Sequence, residues 1–196
     1  MPAVPAAIDI IHDEHRALAA VLHALLFLVG EVRNGKSPDP RLFRATLEYI
    51  AAFPEKLHHP KEDEYIYRLL RDRAPAAVAT LDELEEEHRQ GRDLIVELES
   101  ALSEYERSPA AFEAFAAAVK QYADFHWAHM RKEEDLILPL AAKTLTPEDW
   151  QGIDAAFQSN RDPLVGVDAQ REFRELFRRL VNLLPAPIGL GPNVGG

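Results

Sequence analysis

Cysteine is absent from this 196-residue chain, which excludes disulfides, zinc–thiolate sites, iron–sulfur clusters and thiolate nucleophiles supplied by its own residues. Any metal ion that it holds must therefore be bound through nitrogen and oxygen atoms. Basic residues are also few, because 22 lysines and arginines stand against 33 acidic residues and give a formal charge of −11. Such a charge disfavours attraction to DNA, RNA or anionic lipid, so we expect no nucleic acid partner.

The chain also lacks the sequence features of export and of membrane insertion. Its N-terminus has no basic stretch followed by an apolar core and a cleavage site, and no uncharged apolar run approaches the length that a bilayer requires. From these absences we expect a cytoplasmic protein without a membrane partner.

Runs of alternating β-branched residues are missing as well, whereas long segments rich in Ala, Leu and Glu alternate with short breaks rich in Pro, Gly, Asn and Asp. This pattern predicts an all-α fold, an up-down-up-down four-helix bundle with additional short C-terminal helices. The predicted helices cover residues 6–33, 40–73, 75–106 and 109–143, followed by a short helix from Thr146-Pro147 and an amphipathic helix over 168–184. The predicted organisation is a bundle domain at 1–145, a helical extension packed on it at 146–185, and a flexible tail at 186–196.

Two prolines fall inside the predicted second helix. Pro54 and Pro60 each remove a backbone donor and crowd the preceding turn, which predicts a kink or local break beside His58. A distorted turn at that point can aim side chains at a ligand. The alternative is that the prolines mark a loop between two shorter helices.

The most informative feature is a repeated motif. The segment HHPKEDEYI at residues 58–66 has a near copy, HMRKEEDLI, at residues 129–137, and both carry His-x-x-x-Glu. A histidine and a carboxylate four residues apart lie on one face of a helix, so His58 with Glu62 and His129 with Glu133 can each converge on one metal ion. Transition metals favour mixed imidazole and carboxylate ligation, so two such units predict a cradle for a pair of iron ions.

The other two predicted bundle helices each place a histidine on an apolar stripe. His15 follows the spacing of Ile11 and Leu18, and His88 follows the spacing of Leu81 and Leu84. A single histidine on such a stripe is more often a hydrogen-bonded core residue than a ligand. Four inward histidines with two glutamates would be costly to desolvate unless they are paired or bind metal, and their convergence therefore predicts metal binding.

Taken together, these motifs resemble the hemerythrin-like, or HHE cation-binding, domain family over about residues 8–145. The resemblance lies in His15 within IHDEHR, His58 with Glu62, His88 within EEHR, and His129 with Glu133. It implies a non-haem di-iron centre with an oxo or hydroxo bridge inside a four-helix bundle. The two glutamates would bridge the irons, and the histidines would be terminal ligands.

The chain departs from oxygen-carrying hemerythrins at two points. Their third helix carries His-x-x-x-His, but Leu84 stands four residues before His88, so one terminal ligand is missing. We expect His59 to fill the vacancy, with His126 as the alternative and otherwise as a residue that tunes the pocket. Their fourth helix carries a His followed five residues later by an Asp, whereas His129 and Glu133 are four residues apart. This spacing resembles the bacterial HHE and iron-repair subgroups. The predicted metal ligands are His15, His58, His59, Glu62, His88, His129 and Glu133.

A rival metal pattern is present in Glu55-x-x-His58 and Glu85-x-x-His88, which match the Glu-x-x-His motif of ferritin-like carboxylate proteins. That family also needs an isolated inward glutamate on each of the other helices, and the first helix offers His15 instead. We therefore interpret the match as chance. The charged face over residues 82–87 is interpreted as solvated surface, and His12 and His23 are interpreted as ordinary surface or boundary histidines.

The site and the resemblance predict a di-iron protein that binds or senses oxygen, nitric oxide or peroxide, with a small diatomic ligand or peroxide as its partner. Two enzymatic alternatives stay open: consumption of peroxide or nitric oxide, and donation of iron for the repair of iron–sulfur clusters. A homodimer formed through the C-terminal helices also stays open, as does an interaction module in which the predicted helix at 168–184 transmits the metal state to a partner.

Overall fold

The computed structural model of the chain describes residues 5–160, 162 and 164. Helices account for nearly all of this part, and it contains no strand. We number the five main helices α1 (Ala6–Arg33), α2 (residues 40–73), α3 (Val78–Arg107), α4 (residues 112–144) and α5 (Pro147–Gln158). The predicted all-α class is confirmed.

The first four helices form a closed ring, because α1 contacts α2 and α4, and α3 contacts the same two helices. Short joins connect consecutive helices, so the ring is the predicted up-down-up-down bundle. The additional helix α5 packs on α1. The helix predicted over 168–184 and the tail predicted over 186–196 lie outside the described residues, and the division into domains stays a prediction.

Local sequence signals explain where the helices begin and end. Gly35 adopts a φ of 78°, and its N–H donates to the carbonyl of Val32 at 2.9 Å, which ends α1 as predicted. Thr146 and Asp149 form a capping box at the start of α5. Ser108 stands in extended backbone before α4, but its side chain makes no capping hydrogen bond, and a 3-10 turn at Pro109–Ala111 leads into the helix instead.

Helices α2 and α4 each contain π-helical turns where their predicted ligands lie. In α2 these turns are Pro54–His58 and Glu62–Tyr67, and in α4 the turn is Glu133–Ile137. A π-helical turn adds a residue to the helix and re-aims the side chains around it, and such turns are frequent at functional sites. The predicted distortion beside His58 is therefore present, and the alternative of a loop between two helices is wrong.

Two apolar clusters fill the bundle, one on each side of a polar layer. The first contains Leu18, Phe43 and Phe115, and the second contains Ile11 and Leu81. His15 lies on α1 between Ile11 and Leu18, so the predicted ligands occupy the layer between the two clusters. Packing on both sides holds this layer in place.

Helix α1 is long and apolar enough, by length and composition, to cross a membrane, although it carries charged residues such as Arg16 and Glu31 and is therefore not an uncharged apolar run. A core helix of a bundle passes the same test. Leu22 and Leu25 of this helix are fully buried in the bundle.

Candidate metal centre

The structure brings all seven predicted ligands to one buried cluster, and six of them form two histidine pairs with a glutamate beside each. On one side, Nε2 of His15 lies 3.2 Å from Nε2 of His58, and on the other Nε2 of His88 lies 3.0 Å from Nε2 of His129. These four rings and both glutamates are at most 5% exposed. We call the set His15, His58, Glu62, His88, His129 and Glu133 the six-residue centre.

Each glutamate of the six-residue centre reaches both histidine pairs. Glu62 places Oε1 3.2 Å from Nε2 of His58 and Oε2 3.5 Å from Nε2 of His88. Glu133 places Oε2 3.3 Å from Nε2 of His15 and 3.4 Å from Nε2 of His129. Both carboxylates therefore span the gap between the pairs.

The outer nitrogen of every ring in the two pairs meets a carboxylate. Nδ1 of His15 lies 2.9 Å from Glu134, and Nδ1 of His58 lies 2.6 Å from Glu14. The other two contacts join His88 to Asp63 at 2.8 Å and His129 to Glu87 at 3.0 Å. When Nδ1 of a neutral ring donates its N–H outward, Nε2 carries no hydrogen and its lone pair is available to a metal at the centre, which is how carboxylates orient metal-binding histidines.

These contacts repeat with an internal pseudo-two-fold symmetry. On α1 and α3, the carboxylate just before each histidine, Glu14 or Glu87, holds a ring of the next helix. On α2 and α4, the carboxylate just after each glutamate of the centre, Asp63 or Glu134, holds His88 or His15. The repeat seen in the sequence is thus a repeat of the whole arrangement.

The interior of the centre is electrostatically incomplete. Oε2 of Glu62 and Oε2 of Glu133 are buried without a hydrogen-bond partner, and within each pair the two Nε2 atoms are in close contact. An unpartnered buried oxygen costs free energy, which a cation between the groups would recover.

The carboxylates around the rings raise the pKa of two histidines of the metal-free centre. Burial would lower the pKa of His15, but the neighbouring carboxylates of Glu133 and Glu134 raise it to about 9. Burial likewise opposes protonation of His88, but Asp63 and Glu133 raise its pKa to about 10. Both rings therefore bind a proton at neutral pH, and a metal ion would have to displace it.

The donor atoms also have the spacing that a metal requires. Two groups, His15 with His58 and Glu62, and His59 with Glu62, His88 and His129, each have ligand atoms within 4.8 Å of one another. Bonds of about 2.1 Å place neighbouring ligand atoms about 3 Å apart and opposite ones about 4 Å apart. The buried cluster could therefore hold metal.

A comparison with protein families agrees with this geometry. Residues 6–141 match the family model described as the hemerythrin HHE cation-binding domain. The chain belongs to the hemerythrin HHE family. No curated protein and no solved structure matches it significantly. The matched residues of the HHE domain include the whole six-residue centre, whereas α5 lies beyond them.

His59, the seventh ligand predicted for the HHE centre, is also at the cluster. Its ring stacks on His88 with centroids 4.4 Å apart, and its Nδ1 lies 3.3 Å from Oε2 of Glu55. Burial, followed by the nearby His88, lowers the pKa of His59, so its ring is neutral and has a lone pair for a cation. His126, the alternative, is absent from both metal-sized groups.

Behind His59 lies a second set of buried polar side chains. Tyr122 donates its hydroxyl to Oε1 of Glu55 at 2.8 Å, and Nε2 of His126 lies 3.4 Å from the same oxygen. A Cβ atom at Gly91 would come within 3.1 Å of that oxygen. The absence of a side chain at Gly91 lets this set fit beside α3.

The rival ferritin-like pattern does not assemble. Glu55 is buried, but Glu85 turns away from the centre and pairs with Arg71 at 2.9 Å. His23 is exposed and His12 is partly exposed, in line with their interpretation as surface or boundary residues, and Nδ1 of His12 lies 3.5 Å from Glu134. The Glu-x-x-His matches are thus chance, as interpreted from the sequence.

Sequence reasoning missed the carboxylates that hold the rings. It assigned residues 82–87 to solvated surface, yet Glu87 is largely buried and contacts His129. It also missed Tyr67, whose hydroxyl donates to Oε1 of Glu133. One signal could have found the carboxylates, because Glu14, Asp63, Glu87 and Glu134 each adjoin a predicted ligand in the sequence.

Proposed function

We propose that the HHE domain of this chain holds two iron ions and binds or senses dioxygen, nitric oxide or peroxide through them. The observation that carries this proposal is that Glu62 and Glu133 each span the two histidine pairs and each keep one buried oxygen without a partner. When bound, a pair of iron ions supplies an exchangeable coordination position and electrons for redox chemistry.

The two histidine pairs would divide the ligands unequally. His15 and His58 would hold one ion, and His88, His129 and His59 would hold the other, because the two metal-sized groups differ in this way. The glutamates Glu62 and Glu133 would bridge the ions. The position at His15 and His58 then has fewer imidazole donors, which leaves it more room for an incoming small molecule.

A cavity supports the same assignment. It has a volume of about 10 Å³, room for about one water-sized molecule, and His15 and His58 line it. Leu18, Phe53 and Leu57 form its apolar wall. A diatomic molecule that reached this cavity would meet ligands of only one of the two proposed ions.

The residues around the centre would keep it selective and dry. The apolar clusters above and below exclude bulk water, and the four outer carboxylates hold the rings so that Nε2 faces inward. Tyr67 holds one oxygen of Glu133.

We also propose a cytoplasmic location, and the formal charge of −11 supports the absence of a nucleic acid partner.

Iron analysis combined with absorption spectroscopy tests the proposal. Protein purified from iron-replete cells should carry two iron ions per chain and change its absorption on exposure to oxygen, nitric oxide or peroxide. Glu62→Ala and Glu133→Ala should lose most of the iron, whereas Glu64→Ala, a change at an exposed neighbour of the centre, should keep it. Wild-type protein with no bound transition metal, even after reconstitution, would refute the proposal.

The second candidate is an enzyme that consumes peroxide or nitric oxide, or a donor of iron for cluster repair. The position with only two histidines and an adjoining cavity favours it, because reaction at a metal requires an open coordination position. Steady-state consumption of peroxide and of nitric oxide by iron-loaded protein, compared with His58→Ala, separates turnover from sensing. Equal rates in both proteins would eliminate turnover at this centre, and iron transfer to a cluster-free acceptor protein would test donation.

A further inference from the structure

Helix α5 packs on α1 and on the Glu62–Tyr67 turn of α2, beside His58, although it falls outside residues 6–141 of the HHE match. Its buried residues Trp150, Ile153 and Phe157 join the second apolar cluster, and Asp154 accepts a hydrogen bond from the backbone N–H of Ala7 at 2.8 Å. The ring of Phe157 stands edge-on to His58 with centroids 6.1 Å apart. This chain thus adds its own cover to the family domain.

The cavity beside His15 and His58 is also lined by Asn160 and Asp162, which follow α5 in the sequence. Asn160 donates from Nδ2 to Oε2 of Glu14 at 3.1 Å, and the same oxygen lies 2.6 Å from Nδ1 of His58. Lys61, next to Glu62 in the sequence, donates to the side chain of Asn160. The position of Asn160 is therefore linked to that of His58 through a single carboxylate oxygen.

Asp162 is anchored separately. Its Oδ2 accepts the hydroxyl of Tyr49 on α2 at 2.8 Å, its Oδ1 accepts the N–H of Leu164 at 2.8 Å, and only 6% of the residue is exposed. Leu164 packs against the first apolar cluster. A buried carboxylate with two hydrogen bonds forms one wall of a cavity that is otherwise mainly apolar.

We propose that Asn160 and Asp162 are positioning residues that close the small-molecule cavity, with Asp162 controlling access to the His15 and His58 position and Asn160 fixing His58 through Glu14. This inference rests on the proposed function for its small ligand. Breaking the Asp162 anchor would open the cavity more often without changing any group that binds metal. Rates of access would then rise, while equilibrium affinities would change little.

Stopped-flow measurement with azide, a small anion that binds exchangeable positions on iron, tests the proposal on the iron-loaded full chain. Asp162→Ala removes two hydrogen bonds, so both the association and the dissociation rate constants should rise about ten-fold at unchanged iron content. Asp162→Asn keeps the shape, its amide oxygen can accept the N–H of Leu164, and its NH2 group can donate to the hydroxyl oxygen of Tyr49, so this variant should stay close to wild type. Gln158→Ala, an exposed change on α5, is the matched control.

Equal azide rate constants in Asp162→Ala and wild type would overturn the proposal, as would an equal rise in Gln158→Ala. If Asp162→Ala fails to fold by circular dichroism, Tyr49→Phe removes one anchor while keeping the buried ring, and it should still accelerate azide binding; no acceleration would again overturn the proposal.

A second measurement, of metal uptake, tests this inference independently of the proposed function. Uptake of cobalt(II) by the metal-free full chain should also be faster in Asp162→Ala than in wild type, and this readout needs no small ligand. Absence of an azide-dependent band in wild-type protein would count against the proposed function, while the cobalt(II) rates would still decide whether Asp162 controls access. Equal cobalt(II) rates would overturn that control.

Discussion

The Oδ1 atom of Asp63 lies 2.8 Å from Nδ1 of His88, so a carboxylate next to Glu62 on α2 orients a ring on α3. The hydrogen bond holds the ring of His88 with Nε2 towards the centre, and in the neutral ring it selects the tautomer that carries its hydrogen on Nδ1. Asp63→Ala would leave that ring free to rotate or to change tautomer. Because removal of such a partner commonly weakens metal binding, we expect the affinity for metal to fall about 10- to 100-fold.

The internal symmetry extends this prediction to Glu134, which holds His15 at 2.9 Å. Glu134→Ala should weaken binding by a similar factor, whereas Asp135→Ala, at the exposed residue next to it, should not. Competition titrations with a chromophoric chelator measure all three affinities. An equal loss in Asp135→Ala would show that the effect is one of overall charge and not of ring orientation.

Metal affinity should rise steeply with pH. In the metal-free protein the pKa of His15 is raised to about 9 and that of His88 to about 10, in both cases by carboxylate partners that outweigh burial. A metal ion must displace these protons at neutral pH, so the apparent affinity should increase about ten-fold per pH unit for each proton displaced. Titrations with cobalt(II) between pH 6 and pH 8 measure this slope, and a flat profile would contradict it.

The same two histidines set the pH dependence of the metal-free fold. A pKa raised above its unfolded value stabilises the folded state fully below about pH 6.5, and that contribution is lost as pH rises through 9 and 10. The melting temperature of metal-free protein should therefore fall between pH 7 and pH 10. Metal-loaded protein, in which a cation replaces these protons, should show a smaller fall, and parallel curves for the two forms would contradict this.

Much of the centre could be predicted because it depends on one helix at a time. The apolar stripes place His15 and His88 inward, and the four-residue spacing places His58 with Glu62 and His129 with Glu133 on single faces. These relations survive the π-helical turns, which shift the helical phase locally but keep each His and Glu together. The four inward helix faces can meet only inside the bundle, so the convergence of their side chains could be predicted from the sequence.

The outer carboxylates could not be predicted in the same way, because each acts across a helix interface. Glu87 lies one residue before His88, about 100° around the helix, and helical periodicity alone places it at the surface. Only the rotation of α3 against α4 brings it to His129. Asn160 follows α5 in irregular backbone, which has no periodicity to indicate that its side chain reaches Glu14.

Substitution of Gly91 tests how tightly α3 packs on the set behind His59. A Cβ atom there would lie 3.1 Å from Oε1 of Glu55 and 3.3 Å from Cε1 of His126. Alanine gains about 1 kcal/mol of helix propensity, but overpacking of a filled core costs about 1–3 kcal/mol. We expect Gly91→Ala to lower the free energy of unfolding by about 1 kcal/mol, measured by urea unfolding of metal-free protein.

Gly152 on α5 provides the matched control for that substitution, because nothing lies within 4 Å of its Cβ position. Gly152→Ala should raise the free energy of unfolding by about 0.5–1 kcal/mol through helix propensity alone. Stabilisation of the same size by Gly91→Ala would show that Glu55 and His126 yield easily and that the set is loosely packed.

A matched pair of substitutions decides between His59 and His126 as the additional ligand. His59 stacks 4.4 Å from His88 and belongs to a metal-sized group, whereas neither ring nitrogen of His126 has a hydrogen-bond partner and its nearest acidic contact is Glu55. His59→Leu should therefore weaken binding of one of the two metal equivalents about 10- to 100-fold, by analogy with loss of other groups that hold the metal. His126→Leu should leave both equivalents within about three-fold of wild type, because no direct bond to metal is lost. Isothermal titration of metal-free protein resolves the two equivalents, and the reverse ranking would assign the ligand to His126.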